Sequence, residues 1–169
     1  MQTKRLLRAV KRDSFQAGES VDALPTYIPP RESPATNPGL AAKYPLNVIS
    51  PKSHAFLNSC YGNLPAQLHH AGEQVVLVNP RDAIARNIGE GSAVRIFNDR
   101  GSFEAIAKVS AEVMQGLVVA PLGYWRDLSR AKATVNALNP GAYADLGRAP
   151  TFSDTLVEVA IAQPAAAAE

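Results

Sequence analysis

Gln74-Val75-Val76-Leu77-Val78-Asn79-Pro80-Arg81-Asp82-Ala83-Ile84-Ala85-Arg86, followed by Ala93-Val94-Arg95-Ile96-Phe97-Asn98-Asp99-Arg100-Gly101-Ser102, is the stretch on which the fold turns. The opening run is apolar and largely β-branched, which predicts a strand. Asn79-Pro80 then starts a helix. The Asn side chain can accept from a first-turn amide, and Pro stands where an amide would lack a partner anyway. Ala83, Ile84 and Ile88 are read as the buried stripe of that helix. Gly89 and Gly91 bracket a tight turn, and Ala93 to Phe97 alternates as a half-buried strand does. Asn98-Asp99-Arg100-Gly101 reads as a hairpin turn, with Ser102 to Val109 returning as the partner strand.

Working outward, Leu46-Asn47-Val48-Ile49 is a short β run ended by Ser50-Pro51. Met114-Gln115-Gly116 turns into Leu117-Val118-Val119-Ala120, and Thr155 to Ile161 supplies a closing strand. About six short strands with one or two short helices argue for a mainly β protein, a small barrel with helical insertions rather than a doubly wound sheet. Residues 1–43 differ in character. They begin with a basic, helical stretch (Lys4, Arg5, Arg8, Lys11, Arg12) and continue through Pro25, Pro29, Pro30, Pro34 and Pro38. Proline fixes φ and lacks an amide donor, so this zone is expected to be an extended lead-in lying along another surface. Residues 44–162 carry the domain, and the alanine-rich 163–169 reads as a frayed tail.

The chain has 169 residues, enough for one ordinary domain, and 46% of them are apolar, a globular composition. A formal net charge of +2 gives no electrostatic case for nucleic acid. Cys60 is the single cysteine, so neither an internal disulfide nor a multi-cysteine metal cage is available, in keeping with a reducing compartment. No apolar run approaches the ~20 residues that span a bilayer, and the basic N-terminus lacks the apolar core of a secretory signal. The expectation is a cytoplasmic location, or carriage with a partner subunit to the periplasm.

Strand, Ser-Pro-Lys loop, strand, Asn-Pro-x-Asp-Ala helix, Gly-x-Gly turn and Val-x-Ile-Phe-Asn-Asp-Arg-Gly hairpin occur here in that order. This order resembles the molybdopterin dinucleotide-binding domain that ends the large subunit of dimethyl-sulfoxide-reductase-type enzymes, formate dehydrogenases and nitrate reductases among them. The likeness runs from about Asp22 to Val159 and includes Leu24-Pro25-Thr26-Tyr27-Ile28-Pro29-Pro30-Arg31-Glu32-Ser33-Pro34, similar to the inter-domain lead-in of those enzymes. It implies a double-psi β barrel of the aspartate-decarboxylase-like kind. It also implies a shared cofactor, molybdopterin guanine dinucleotide carrying molybdenum or tungsten, held with the catalytic N-terminal domains or a large subunit.

By the same resemblance, the loop after the first barrel strand drapes over the pterin and its phosphates. Here that loop gives Ser50, Pro51, Lys52, Ser53, His54, Asn58 and Ser59 as cofactor contacts. The chemistry suits the task, because hydroxyls and amides satisfy ring donors and acceptors while Lys52 brings a cation for phosphate. A hydroxyl-rich turn in which Ser50 and Ser53 cap backbone amides would use the same residues. Relatives place an Asn-x-Leu-Thr segment on the cofactor. This chain has Asn136-Ala137-Leu138-Asn139, with Asn139 in the Thr place, and Asn136 could equally be a turn former before Pro140-Gly141. Trp125 beside Tyr124, and Phe152 near a position where some relatives carry Lys and this chain Ser153, are further aromatic contacts or ordinary core residues. His69-His70 reads as a solvated loop pair, and no metal is assigned to it.

In the resembling family the metal ligand and any iron–sulfur cluster lie in earlier domains, so no residue here is assigned a catalytic role and the chain alone is expected to be silent. Two other readings use the same barrel. One is a pyruvoyl-type decarboxylase self-cleaving at Gly91-Ser92 or Gly101-Ser102, where Gly and Ser also suit plain turns. The other is a non-enzymatic interaction module, and a separately encoded small subunit like that of formylmethanofuran dehydrogenases is a variant of the first reading.

Overall fold

The computed structural model describes residues 27–144 and 149–163. The basic stretch Met1–Arg12, the lead-in as far as Thr26 and the tail from Pro164 lie outside the described residues. Six strands close into a barrel: β1 (Leu46–Ile49), β2 (Val75–Val78), β3 (Ala93–Phe97), β4 (Ser102–Val109), β5 (Leu117–Val119) and β6 (Leu156–Ile161). Their order around the barrel is β1-β5-β2-β4-β3-β6. The pairs β1–β5 and β2–β4 are parallel, and the other four are antiparallel. Exchanging β1 with β4, β2 with β5 and β3 with β6 reproduces every pairing and its sense. This interleaved pseudo-two-fold is the double-psi β barrel expected above.

The inward positions follow the period of two. Leu46 and Val48, Val76 and Val78, Val94 and Ile96, and Val157 and Val159 are all buried in one cluster. On β4 the large Phe103 is followed inward by Ala105 and Ala107, which lets the barrel taper without a void. Each fully buried aliphatic side chain contributes roughly 1.5–3 kcal/mol, so this alternation is the main thing holding the fold.

Among the described residues three short α-helices decorate the barrel: α1 (Pro38–Lys43), α2 (Pro65–Ala71) and α3 (Pro80–Ile84). The first corrects the reading of the proline-rich part of 1–43 as an extended lead-in. Asn37 caps it by accepting from the Leu40 amide at 3.1 Å, with Pro38 at the first helical position. That is the same Asn-Pro start as Asn79-Pro80, and proline forbids only a helix interior. Helix α2 corrects the reading of His69 and His70 as loop residues, since both sit in its last turn, exposed.

Helix α3 is shorter than the sequence suggested, and Ile84 is 76% exposed rather than buried. The cause is its C-terminus. Asn87 takes a left-handed φ of 55°, the Ile88 amide donates to the Ala83 carbonyl, and the Asn87 amide donates to the Ile84 carbonyl. This Schellman ending brings Ile88 back onto Ala83, both buried, and turns Ile84 to solvent.

Strand polarity sorts the connections. Taking β1 as running upward, β3 and β5 also run up, while β2, β4 and β6 run down. The β1–β2 connection, the β3–β4 hairpin and the long β5–β6 connection therefore share the upper end. Helix α3 and the β4–β5 turn share the lower end. They are tied there by Asn79 Nδ2 donating to the Val113 carbonyl at 2.7 Å and the Gly116 amide donating to Asp82 Oδ2 at 2.7 Å.

Candidate functional site

Every sequence-predicted contact lies in a connection of the upper end. Ser50, Pro51, Lys52, Ser53, His54, Asn58 and Ser59 follow β1, while Trp125, Asn136 and Phe152 fall between β5 and β6. The structure gathers all of them but Phe152 into two clusters on this rim.

The first joins the 50–62 loop to the segment 120–125. The Ala120 amide donates to the Ile49 carbonyl and the Leu122 amide to the Pro51 carbonyl, each at 2.9 Å, which extends the parallel β1–β5 pairing beyond the strands. Lys52 forms an isolated bridge with Leu122. The Trp125 indole N–H donates to the Ser59 carbonyl at 2.6 Å. Phe56 meets Tyr124 edge to face at 5.2 Å. Two glycines permit this closeness. A Cβ on Gly62 would stand 2.7 Å from Trp125 Cδ1, and one on Gly123, whose φ is +113°, would stand 2.6 Å from the Asn58 carbonyl oxygen. Asn58 and Tyr61 are themselves left-handed, at φ 54° and 68°. Asn tolerates such a φ, whereas a bulky Tyr holds it only where the surroundings impose it, so the loop is pre-shaped at Tyr61.

Within this loop the polar groups divide. Ser53 Oγ accepts from the Ala55 amide at 3.2 Å, the turn-forming role. Ser50 Oγ is buried with no partner among the described residues. Lys52, His54, Asn58 and Ser59 are exposed, and Lys52 makes no ion pair among the described residues. Other described cations near this rim are engaged. Arg130 Nη2 donates to both carboxylate oxygens of Glu73 at 3.0 Å, and Lys43 pairs with Asp99. That contact, with the Tyr44 hydroxyl, holds the Asp99 carboxyl below its ordinary range, and Asp99 in turn raises Lys43. Burial pushes the Tyr124 hydroxyl upward. Trp125 is 42% exposed, so it is not a core tryptophan, and its indole caps the loop from outside.

The second cluster is the 3₁₀ turn Val135–Leu138, anchored by burial of Val135 and Leu138 and seated on the β3–β4 hairpin. Asn136 is exposed, and Asn139 Oδ1 is buried without a partner among the described residues. Phe152, 43% exposed, stands apart from both clusters on the approach to β6, where its carbonyl accepts from the Thr155 hydroxyl. The two Gly-Ser bonds serve local structure. Ser92 Oγ accepts from the Gly89 amide at 3.2 Å, and Gly101 packs so closely on Ala137 that a Cβ would stand 2.8 Å from its carbonyl oxygen.

Sequence reasoning missed Gln74. It is 4% exposed, neither carboxamide atom has a partner among the described residues, and it lines a cleft of about 210 Å³ with Leu68, Tyr124, Trp125, Leu128 and Arg130. The signal was present, because Gln74 is in phase with the inward Val76 and Val78, as Ser50 is with Leu46 and Val48. A polar residue in a buried phase is informative where an exposed one is not.

Comparison with known proteins agrees with this arrangement. Residues 46–156 match the profile of the Molydopterin dinucleotide binding domain. The chain belongs to this family. It is 42% identical over 109 residues to the dimethyl sulfoxide/trimethylamine N-oxide reductase of Cereibacter sphaeroides, covering 62% of this chain and 13% of that protein. It is 39% identical over 110 residues to dimethyl sulfoxide reductase DmsA of Escherichia coli, covering 65% of this chain and again 13% of the relative. Among solved structures, acetylene hydratase from Pelobacter acetylenicus superimposes with a TM-score of 0.71 at 18% identity, over 83% of this chain and 22% of that one, a likeness of fold. The molybdopterin dinucleotide-binding domain therefore accounts for a small fraction of the curated relatives it matches. No described helix is long and apolar enough to cross a membrane.

Proposed function

We propose that the upper end of this barrel caps a molybdopterin guanine dinucleotide, carrying molybdenum or tungsten, whose remaining walls come from the catalytic domains or large subunit of an oxidoreductase. One observation carries the reading. Ser50 Oγ, both carboxamide atoms of Gln74 and Asn139 Oδ1 are buried, without a partner among the described residues, and gathered on the rim that also bears the 50–62 loop with its left-handed Asn58 and Tyr61. A fifth such atom, Asn47 Oδ1, lies within strand β1 rather than in a connection of this rim and is outside the argument. A buried polar atom left unpaired costs about 1–3 kcal/mol, and a ligand rich in ring donors, acceptors and phosphate oxygens relieves that cost on binding.

The residues fit such a group. Hydroxyl and amide side chains satisfy ring edges without net charge, and Lys52 is the loop cation suited to phosphate. Trp125 and Phe152 are exposed enough to cover a flat ring face. When bound, the cofactor supplies the redox chemistry at its metal, while this chain's share is to orient it and exclude water. We place the chain where that enzyme works, in the cytoplasm or carried with a partner subunit to the periplasm.

Titrating the full chain with molybdopterin guanine dinucleotide tests the proposal. The expected result is a saturable amide-shift response at residues 50–59 and 136–139, with quenching of Trp125, the only tryptophan of the sequence. Unmoved amides in both segments at cofactor concentrations that saturate an intact relative would overturn it.

A further inference from the structure

The lead-in touches the upper end of the barrel at several points, Arg31 Nη2 donating to the Tyr143 carbonyl at 3.2 Å among them, and one of its carboxylates is held there from two sides. Glu32, with a side chain only 13% exposed, accepts from Arg100 Nη1 at 2.6 Å and Nη2 at 3.1 Å, and from the Leu156 amide at 3.0 Å. Arg100 Nε, the remaining direction of the guanidinium, donates to the Leu138 carbonyl at 2.7 Å. Asn98 completes the knot. Its Nδ2 donates to the same Leu138 carbonyl at 3.0 Å and to the Leu156 carbonyl at 3.2 Å, while its Oδ1 accepts from the Arg100 amide at 3.0 Å.

We infer that Glu32 is a positioning residue for the Asn136–Asn139 turn, acting through Arg100. A guanidinium is planar, with its N–H groups in a fixed fork. Two of its nitrogens gripped end-on by Glu32 set the plane, and the plane sets where Nε points, which is at the turn. Burial of Val135 and Leu138 fixes the depth of the turn but not its slide along the hairpin. The two hydrogen bonds to the Leu138 carbonyl do that. Segment 27–43 thus becomes a strap whose seating decides where Asn136 and the unpaired Asn139 Oδ1 stand. The functional purpose rests on the cofactor reading above, whereas the mechanical coupling does not.

The test compares the full-length wild-type chain with Glu32→Ala, Glu32→Gln and a control, Asn79→Ala, which weakens the lower end. In the free chain, Glu32→Ala should speed hydrogen exchange of the Leu156 amide at least tenfold and shift the amides of 136–139. Glu32→Gln keeps an acceptor for Leu156 but not the two-oxygen grip on Arg100, so it should preserve Leu156 protection and still shift the turn. Both should raise the dissociation constant for molybdopterin guanine dinucleotide about tenfold. Asn79→Ala, at a comparable loss of melting temperature, should do neither. Amides 136–139 that move no more in the Glu32 variants than in the control, or affinity that tracks melting temperature alone across all three, would overturn the inference. Should wild type fail to respond to cofactor while Glu32→Ala still shifts the free turn, the latch stands and the cofactor reading falls.

Discussion

Replacing Gly123 by Ala probes the joint that holds the 50–62 loop to the barrel. Two costs arise there. The backbone sits at φ +113°, a left-handed value that side chains avoid, and the new Cβ would lie 2.6 Å from the Asn58 carbonyl oxygen and 3.0 Å from Phe56 Cδ2. The backbone cost is of order 1–3 kcal/mol, offset by the 0.4–1 kcal/mol that Ala gains over Gly through the unfolded chain. Forcing the loop aside adds about 1–3 kcal/mol, as overpacking does elsewhere. Gly116 separates the terms, because it too is left-handed, at φ +83°, but a Cβ there meets nothing within 4 Å. Gly123→Ala should therefore lose roughly 2–4 kcal/mol and Gly116→Ala roughly 1 kcal/mol. At about 4 °C per kcal/mol for a domain of this size, calorimetry should show drops of about 8–16 °C and about 4 °C. Amide shifts of Phe56, Asn58 and Ser59 should move in the first variant only. Equal melting losses, or an undisturbed 56–59 segment in Gly123→Ala, would refute the claim that close approach to the loop sets this position.

Asn79→Ala removes both a helix cap, which accepts from the Arg81 amide at 2.9 Å, and the partner of the Val113 carbonyl, so urea unfolding should show a loss of about 1–3 kcal/mol with an unchanged slope. Arg86 bridges Glu158 at 2.5 Å and Asp82 at 3.9 Å in a largely buried setting, and a double-mutant cycle with Arg86→Met and Glu158→Gln should return a coupling of about 1–3 kcal/mol; a coupling near zero would show the pair to be solvated. The exposed Lys43–Asp99 pair has a defined pH window. Asp99 is lowered, so its contribution is present above the ordinary carboxylate value near ~4 and fades as pH falls through the folded value. Lys43 is raised, so its contribution is present below ~10.4 and fades as pH rises through the folded value. The melting difference between wild type and Asp99→Asn should accordingly be visible at pH 7, shrink below about pH 4, and shrink in 1 M salt.

The strands were legible because each has a face that must be apolar at every second residue. Leu46–Ile49, Ala93–Phe97 and Ser102–Val109 could be read to the residue, and the other three to within a residue at one end. Helix ends were less legible. Ile84 looked like part of a stripe, and only the Schellman turn at Asn87, a contact between residues five apart, decided that Ile88 packs instead. The Asn37-Pro38 start of α1 carried the same chemistry as Asn79-Pro80 but was obscured by the prolines around it.

For the candidate site, sequence alone supplied the residue types, the order of the motifs and the family likeness. The resemblance says which side chains could meet a pterin dinucleotide, and the hydroxyls, amides and one lysine of the Ser-Pro-Lys loop suit that task chemically. Tertiary structure decided what no local pattern contains. Barrel closure and strand polarity bring loops 70 to 100 residues apart onto one rim. Packing leaves Ser50, Gln74 and Asn139 without side-chain partners among the described residues while Ser53 is spent on its own turn. Glu32, an unremarkable acid in a proline-rich stretch, becomes the clamp on Arg100 only because β3, β4 and β6 meet where the lead-in crosses. Periodicity is a property of neighbours along the chain, whereas burial and pairing belong to neighbours in space.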